Sequence, residues 1–395
     1  MEKELTQLDY ERIVDAFRAG VVPPVHLEEF CVGREHWLES VKHDLGLVAR
    51  GASKVRFLSA PWGGGKTHFL LMTREEALAI GLVVSHVDLN SREAPLDRFE
   101  IIFPKIVRSL LFPGGYNLES ILDAWAANFP YYSVDEIGAE LRRLSPSLDF
   151  RSALRACLMH AKGDIVAHRA MLRNVAGWLG GDSLNPELKK QGVYNSVKIT
   201  NVSEIIDSFL RFILQQGYKG LVVMLDEAEA VTSLETSRRR TEANQNIRKL
   251  LDNADEHIGL YVMFATTPNF LTDPIKGAKS YPALWSRIRN IVGPELERMS
   301  KRSIIIPLEP LGASELEELA NKVIMAHSRA YSWDAADHVD INGIKLYTAR
   351  FREECDDKTV RSFIRPLVHI LDQAEESKDP KYISLLISQV KFGEE

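Results

Sequence analysis

Apolar residues follow two periods along this chain, and these periods predict its secondary structure. Short runs that are apolar at nearly every position predict strands buried on both faces of a parallel sheet. Apolar residues that recur every three or four positions predict amphipathic helices between those runs. Because strands alternate with helices, we predict an α/β fold with a parallel sheet and right-handed crossovers. The predicted strands are 55–59, 82–87, 221–225, 260–265 and 303–308.

Helices are predicted on both sides of these strands. One helix at about 5–20, which Gly20 would end, and another at about 37–49 precede the first strand. From about 114 to 202 the pattern is helical and polar, which predicts a helical insertion in the sheet domain. After Pro310 the pattern indicates helices only. The remaining predicted helices are 96–111, 205–216, 314–331, 343–354 and 359–376.

The first predicted strand leads into the segment A-P-W-G-G-G-K-T at 60–67. A strand, a glycine-rich turn, a Lys-Thr pair and a helix are the parts of a phosphate-binding loop. The glycines let backbone N–H groups converge on an anion, and the helix adds the positive end of its dipole. We expect Lys66 to reach the phosphates of ATP and the Thr67 hydroxyl to bind Mg²⁺. The predicted nucleotide-contacting residues of this segment are Gly63, Gly64, Gly65, Lys66, Thr67 and His68.

Two positions of this segment need comment, because one departs from the usual pattern and the other has two interpretations. The usual pattern begins with Gly, whereas this chain has Ala60. Alanine can replace that glycine if its φ stays negative. His68 directly follows Thr67, and a packed helix residue is the alternative to a nucleotide contact there.

A second candidate feature is the apolar run at 221–225, which ends in Asp226 and Glu227. Ligands bind open α/β sheets at the carboxyl ends of the strands, where these carboxylates would lie. We expect Asp226 to hold the Mg²⁺ shell and Glu227 to orient and polarise the attacking water. The alternative is an acidic helix start after a core strand.

The bulk composition excludes several classes of protein. The chain has 395 residues, 45% of them hydrophobic and 26% charged, as in ordinary globular proteins of two or three domains. Its net charge of −6 gives no global basic field for nucleic acid. Three widely separated cysteines and the lack of a signal peptide or a long apolar run indicate a cytoplasmic protein without a membrane segment.

The motifs, in their order along the chain, resemble a known family. V-G-R-E at 32–35, the 60–67 segment followed by H-F-L, and L-D-E-A-E from Leu225 are similar to AAA+ ATPases of the origin-recognition and STAND type. More narrowly, the chain resembles the ATP-binding proteins of bacteriophage-exclusion (BREX) systems. G-W-L-G from Gly177 and T-T-P-N-F from Thr266 belong to that resemblance. It implies an AAA+-type core with a five-stranded parallel sheet and a C-terminal helical lid.

The resemblance also implies roles for residues outside the loop. Thr266 or Thr267 would be the polar sensor that follows the strand after the acidic one. Arg287, with Arg289 as its rival, would be the arginine finger offered to a neighbour's nucleotide.

Two further positions match the family pattern on the nucleotide's other sides. Arg361, or Arg365 one turn later, would be the second sensor on the lid. Gly33 and Arg34 would lie against the adenine and ribose, unless Arg34 is a surface residue.

These features predict a domain organisation. An N-terminal helix and linker would occupy residues 1–30. A P-loop ATPase core would span 31–310 with its insertion at about 114–202, and a helical lid would span 311–395.

Three functions fit the sequence. The first is an AAA+-type ATPase that uses ATP and Mg²⁺ as a switch or assembly component in phage defence, and associates with itself or with other defence proteins. The second is a DEAD-box-like helicase, because D-E-A-E at 226–229 fits that class, although no second α/β domain is predicted. The third is a scaffold that binds ATP without hydrolysing it. Arginines 238–240 could touch DNA weakly and without specificity, or form a solvated basic loop.

Overall fold

The computed structural model describes residues 5–130, 133–161, 163–252, 257–289, 300–335, 339, 341–377 and 380–392. The chain divides into two compact units. The loop-bearing unit comprises residues 1–39, 59–72 and 307–395, and the acidic-strand unit comprises residues 40–58 and 73–306.

The strands form one sheet of six strands in the order β3-β2-β4-β5-β1-β6. Strands β2, β4 and β5 pair in parallel, with Val83 opposite Leu221 and Leu221 opposite Leu260. Every residue of β4 and β5 is buried, as the continuous apolar runs predict. The strand bounds are β1 Lys54–Ser59, β2 Val83–Asp88, β3 Leu110–Leu111, β4 Leu221–Asp226, β5 Leu260–Thr266 and β6 Ile305–Pro307.

The prediction of five parallel strands is therefore wrong by one strand. The additional strand β3 has two residues and pairs antiparallel with β2, so that Ser85 lies opposite Leu110 and Val84 opposite Leu111. The helix predicted to reach Leu111 instead ends at Arg108. Two apolar residues carry no period, which is why the pattern assigned them to the helix.

Helices account for most of the remaining described chain. Between β3 and β4, the described residues form helices and turns without a strand, as predicted for the insertion. The helix at the C-terminal end, Pro380–Gln389, was not predicted. The helix bounds are α1 Gln7–Ala19, α2 Glu35–Val48, α3 Lys66–Ala79, α4 Phe99–Arg108, α5 Leu118–Asn128, α6 Val134–Leu144, α7 Leu148–His160, α8 Ile165–Leu179, α9 Pro186–Lys190, α10 Val202–Gln215, α11 Ser237–Asp252, α12 Pro268–Thr272, α13 Pro282–Ile288, α14 Ala313–Tyr331, α15 Ile341–Glu354, α16 Val360–Ser377 and α17 Pro380–Gln389.

The core of the acidic-strand unit surrounds the sheet and extends into the insertion. Phe57 stacks on Phe264 with 5.3 Å between ring centroids, which joins β1 to β5. Trp178 is fully buried and donates its indole N–H to the Asn195 carbonyl at 2.9 Å. The insertion therefore packs as part of the same hydrophobic core.

The loop-bearing unit has a core of its own, in which α1 packs against α14 and α16. Helix α1 begins with a capping box formed by Thr6 and Asp9 and ends at Gly20, whose φ of 69° is left-handed, as predicted. Arg18 of α1 donates to Asp372 of α16 at 2.8 Å, and His327 of α14 lies 3.0 Å from the same carboxylate. These contacts fix the N-terminal helix onto the C-terminal helices.

Candidate nucleotide-binding site

The phosphate loop joins β1 to α3, and its glycines meet a geometric demand. Gly63 and Gly65 have φ values of 73° and 95°, which side chains rarely adopt. A Cβ on Gly64 would lie 3.0 Å from both the Ala60 Cβ and the Pro61 carbonyl oxygen. A Cβ on Gly65 would meet nothing within 4 Å. The loop therefore wraps an open space at the start of a 14-residue helix, which fits a polyphosphate.

Lys66 is held at this loop. Its side chain is buried, with 6% of the residue exposed. Its Nζ donates to the Ala60 carbonyl at 3.2 Å and lies 3.5 Å from the Pro61 carbonyl. Thr67 is exposed at the second position of α3, so its hydroxyl oxygen is accessible to a hard cation.

Ala60 meets the requirement for an alanine at the first position of the loop, which is a φ that is not positive. It is fully buried and its φ is not positive, so the first turn of the loop does not use glycine's freedom. The departure from the usual loop pattern is thus compatible with the loop geometry.

The start of α16 covers the phosphate loop within the loop-bearing unit. The Arg361 N–H donates to the Gly63 carbonyl at 3.4 Å. A Cβ on Gly63 would lie 3.0 Å from the Thr359 hydroxyl oxygen and 3.3 Å from the Arg361 Cβ. The side chains of Arg361 and Arg365 both lie close to Gly20, at 3.3 Å and 2.8 Å from the position that a Cβ would take there. Of the two second-sensor candidates, Arg361 therefore lies beside the loop, whereas the contact given for Arg365 is with Gly20.

Gly33 and Arg34 lie in the same unit and have partners there. The Arg34 guanidinium donates to the Glu309 carbonyl at 2.7 Å, and burial lowers its pKa. Gly33 has a φ of 67°, and a Cβ there would lie 2.6 Å from a carboxylate oxygen of Glu315. Arg34 is half-buried rather than a free surface residue.

His68 has a packing role. Its Nε2 lies 2.9 Å from the Leu27 carbonyl oxygen, within the loop-bearing unit. Burial lowers its pKa, which favours the neutral ring. The hydrogen bond joins α3 to the short 3₁₀ helix Leu27–Phe30.

In the acidic-strand unit, β4 ends at a buried carboxylate. Asp226 is 5% exposed, and its Oδ1 accepts the Glu227 N–H at 2.8 Å. Glu227 is exposed and has a φ of 57°, a left-handed conformation that is uncommon outside glycine. Such strained residues concentrate at functional sites.

Thr266 ends β5, the strand next to β4. Its residue is fully buried, yet its hydroxyl oxygen has no hydrogen-bond partner. Thr267 is half-exposed and precedes α12 as its N-cap residue. A buried hydroxyl without a partner is costly, so this geometry favours Thr266 as the polar sensor.

Arg287 is engaged within its own unit. Its guanidinium pairs with Asp252 through two nitrogens, with 2.9 Å between Nη2 and Oδ2, and also donates to the Ala283 carbonyl at 2.6 Å. The hydrogen bond with Asp252 raises the pKa of Arg287. Arg289 lies just beyond α13.

The basic run at 238–240 is also partnered. Arg238 pairs with Glu242 at 2.9 Å, Arg239 with Asp97 at 2.7 Å, and Arg240 donates to the Leu234 carbonyl at 2.7 Å. These contacts neutralise much of the charge that DNA phosphates would need.

Sequence reasoning missed two residues near Asp226. His86 and Asp88 are at the end of β2, and their side chains lie beside the Asp226 carboxylate. The predicted strand stopped at Val87, one residue short. A histidine and an aspartate two positions apart at a strand end were the signal in the sequence.

The helices of the described chain are too short or too polar to cross a lipid bilayer.

The chain is similar to one protein family and to several solved structures. A family model for the BREX system ATP-binding protein BrxC/D matches residues 5–389. Curated proteins give no match. The Aeropyrum pernix ORC1 protein in complex with DNA is 12% identical over 93% of this chain and 67% of its own, with a TM-score of 0.43. The ORC2 protein of the same organism, in ADPNP-ADP complexes, is 14% identical over 97% of this chain and 72% of its own, with a TM-score of 0.49.

The glycine-rich loop between β1 and α3 and the acidic end of β4 are the parts of a P-loop nucleotide-binding protein. The chain belongs to the family of BREX system ATP-binding proteins BrxC/D. The resemblance drawn from the motifs is confirmed at the level of this family.

Proposed function

We propose that this chain binds ATP with Mg²⁺ and hydrolyses it slowly, or when a partner stimulates it. It would act as a nucleotide-driven switch or assembly component of a BREX-like phage defence. The phosphate loop carries this proposal, because its left-handed glycines, buried Lys66 and following helix suit a triphosphate. Membership of an ATP-binding family supports it.

Three residues would hold the substrate and its metal. Lys66 would exchange its contact with the Ala60 carbonyl for the β- and γ-phosphates. Thr67 and Asp226 offer the hard oxygens that Mg²⁺ prefers. The ion, when bound, neutralises charge on the phosphates.

Two residues would act on the attacking water. Glu227 would orient and polarise it, and its exposed carboxylate and left-handed backbone support that role. Thr266 would donate its unpartnered hydroxyl to the γ-phosphate or the water.

Arginines would complete the site. Arg287 would leave Asp252 to reach the nucleotide of a neighbouring copy, where it would stabilise the charge of the transition state. Arg361 or Arg365 would contact the bound nucleotide from the lid. Thr359, just before these residues, lies beside Gly63 of the phosphate loop. Gly33, Arg34 and His68 would line the nucleotide's other side.

The proposal includes a setting. The protein would work in the cytoplasm and associate with itself or with other defence proteins. Any DNA contact would be weak and salt-dependent, because arginines 238–240 are paired within the chain.

Three proteins test the proposal: wild type, Lys66→Ala and Glu227→Gln. Titration calorimetry with MgATP and phosphate release are measured in parallel. We expect Lys66→Ala to lose binding and Glu227→Gln to keep binding while turnover falls about 10²–10⁴-fold.

Two other outcomes would contradict the proposed activity. Tight ATP binding with negligible release by wild type and Glu227→Gln alike would favour the scaffold. ATP-dependent duplex unwinding by the isolated chain would favour the helicase, although the described residues after β6 form helices and no strand.

A further inference from the structure

The backbone of the acidic-strand unit places three ligand-type side chains on one face of the sheet. Strands β2 and β4 are parallel, and Asp88 lies directly opposite Asp226. His86 precedes Asp88 by two residues, so both side chains point to the same face. The juxtaposition therefore follows from strand register.

The side chains are close but not hydrogen-bonded. The His86 Nε2 lies 3.7 Å from Asp88 Oδ1 and 3.8 Å from Asp226 Oδ2, which is too far for a hydrogen bond. This nitrogen is buried and has no hydrogen-bond partner. The ligand atoms of all three residues lie within 4.8 Å of one another.

Such an arrangement is costly without a cation. Like charges directly opposite each other on neighbouring strands destabilise a sheet, and a buried nitrogen without a partner adds its own cost. A divalent ion would remove both costs. Metal bonds to nitrogen and oxygen are about 2.0–2.2 Å long, so one ion can bridge His86 to either carboxylate, at the observed 3.7 and 3.8 Å.

We propose that His86, Asp88 and Asp226 form a site for a divalent first-row transition ion of the Mn²⁺ type. One imidazole nitrogen and two carboxylate oxygens suit such an ion better than Mg²⁺, which prefers oxygen alone. Asp226 would use the Oδ2 that faces His86, while its Oδ1 keeps the Glu227 N–H.

An ion can reach the site from solvent. The Asp88 side chain is 81% exposed. A groove of about 1070 Å³ in the acidic-strand unit is lined by His86 and Asp88 on one side and by Gly181 and Ser196 of the insertion on another. A hydrated cation fits this groove and would exchange water for the three side chains.

The site shares Asp226 with the proposed ATPase, so the experiment uses nucleotide-free protein. Mn²⁺ is titrated into the full chain while the free-ion signal is followed by electron paramagnetic resonance. Electron spin-echo modulation of the bound ion then reports a directly coordinated ¹⁴N. We expect saturable binding to one site with imidazole nitrogen coupling.

The variants are His86→Gln and Asp88→Asn, with Glu93→Gln as the matched control. Glu93 lines the same groove and is exposed, but lies outside the three-residue cluster. We expect His86→Gln to abolish the nitrogen coupling and each cluster variant to weaken Mn²⁺ binding about 10-fold or more. The control should match wild type, and circular dichroism confirms that each variant is folded.

Bound Mn²⁺ without nitrogen coupling in wild type would overturn the inference. So would no Mn²⁺ binding at all. Lys66→Ala separates the two proposals, because it should lose ATP and keep Mn²⁺. Nitrogen-coupled Mn²⁺ in a chain that never binds ATP would refute the proposed function alone.

Discussion

The two units treat their candidate functional residues differently. In the loop-bearing unit, Lys66, Arg34 and His68 each contact a backbone carbonyl oxygen of the same unit. In the acidic-strand unit, the Thr266 hydroxyl and the His86 Nε2 are buried without hydrogen-bond partners. Both carboxylate oxygens of Glu229, just beyond Asp226 and Glu227, share that condition.

This difference has an energetic basis. Carbonyl contacts hold a basic side chain in place at little cost, so a binding surface can be formed in advance. Buried polar groups without partners cost about 1–3 kcal/mol each. The acidic-strand unit thus gives up stability at the end of β4 and β5, where a ligand would repay it.

The largest effect should come from Arg287→Ala. We expect phosphate release to fall about 10³-fold or more with ATP affinity unchanged, because an arginine finger stabilises the transition state of a neighbour's nucleotide. Steady-state release is measured at high protein concentration, with Arg289→Ala as the matched variant.

A mixing experiment tests whether Arg287 acts between copies. Arg287→Ala supplies an intact Glu227, and Glu227→Gln supplies an intact arginine, so an equimolar mixture should regain part of the lost rate. A mixture that stays inactive, or an equal loss in Arg289→Ala, would contradict the assignment.

Thr266→Val should affect turnover and stability in opposite directions. Removing the sensor hydroxyl should lower turnover about 10²-fold, as the loss of one transition-state donor does. The nucleotide-free protein should become about 1 kcal/mol more stable in urea, because the buried hydroxyl has no partner.

Two matched variants sharpen this comparison. Thr348 of the loop-bearing unit is also buried with an unpartnered hydroxyl, so Thr348→Val should stabilise without changing turnover. Thr267→Val should change neither by much. If Thr267→Val lost activity and Thr266→Val did not, Thr267 rather than Thr266 would be the sensor.

Gly63→Ala and Gly65→Ala should differ in stability. Both glycines are left-handed, so each alanine costs about 1–2 kcal/mol of backbone strain. Only the Gly63 methyl also meets Thr359 and Arg361, so it should cost about 1 kcal/mol more in urea unfolding. The Gly65 methyl would enter the open space of the loop and should weaken ATP binding more. Equal unfolding midpoints would mean that α16 does not pack on Gly63.

His68→Gln should give the smallest effect, and only in acid. The folded pKa of His68 lies below its ordinary value because the ring is buried, so the unfolded chain binds the proton more readily. Wild-type stability from this group is therefore present above about pH 6.5 and is lost as pH falls. Urea midpoints at pH 7.5 and 5.5 should fall further for wild type than for His68→Gln. An equal fall in the urea midpoint for the two proteins would show that the pKa of His68 is not lowered by folding.

The sequence predicts the parts of the fold that have a strong period. The strands at 221–225 and 260–265 are apolar at almost every position because both faces of the sheet are covered. Strand β3 is invisible in the sequence, since Leu110 and Leu111 become a strand only by pairing with β2. The ten-residue helix Pro380–Gln389 was also not predicted.

The candidate site divides in the same way. Motif spacing predicts Lys66, Thr67, Asp226 and Glu227, because a loop and a strand end are local features. The cluster around His86 depends on the register between β2 and β4, which are more than a hundred residues apart. The pairing of Arg287 with Asp252 depends on tertiary packing and has no local signal.

Ala60 carries a lesson for searches of genomes. Its position is limited by volume rather than by torsion, since the residue is fully buried and its Cβ faces the place where Gly64 has none. Glycine and alanine fit there, whereas any bulkier side chain would push into Gly64. A sequence search that requires glycine at the first position of the phosphate-loop pattern would miss this chain. A search that allows glycine or alanine at that position would find it.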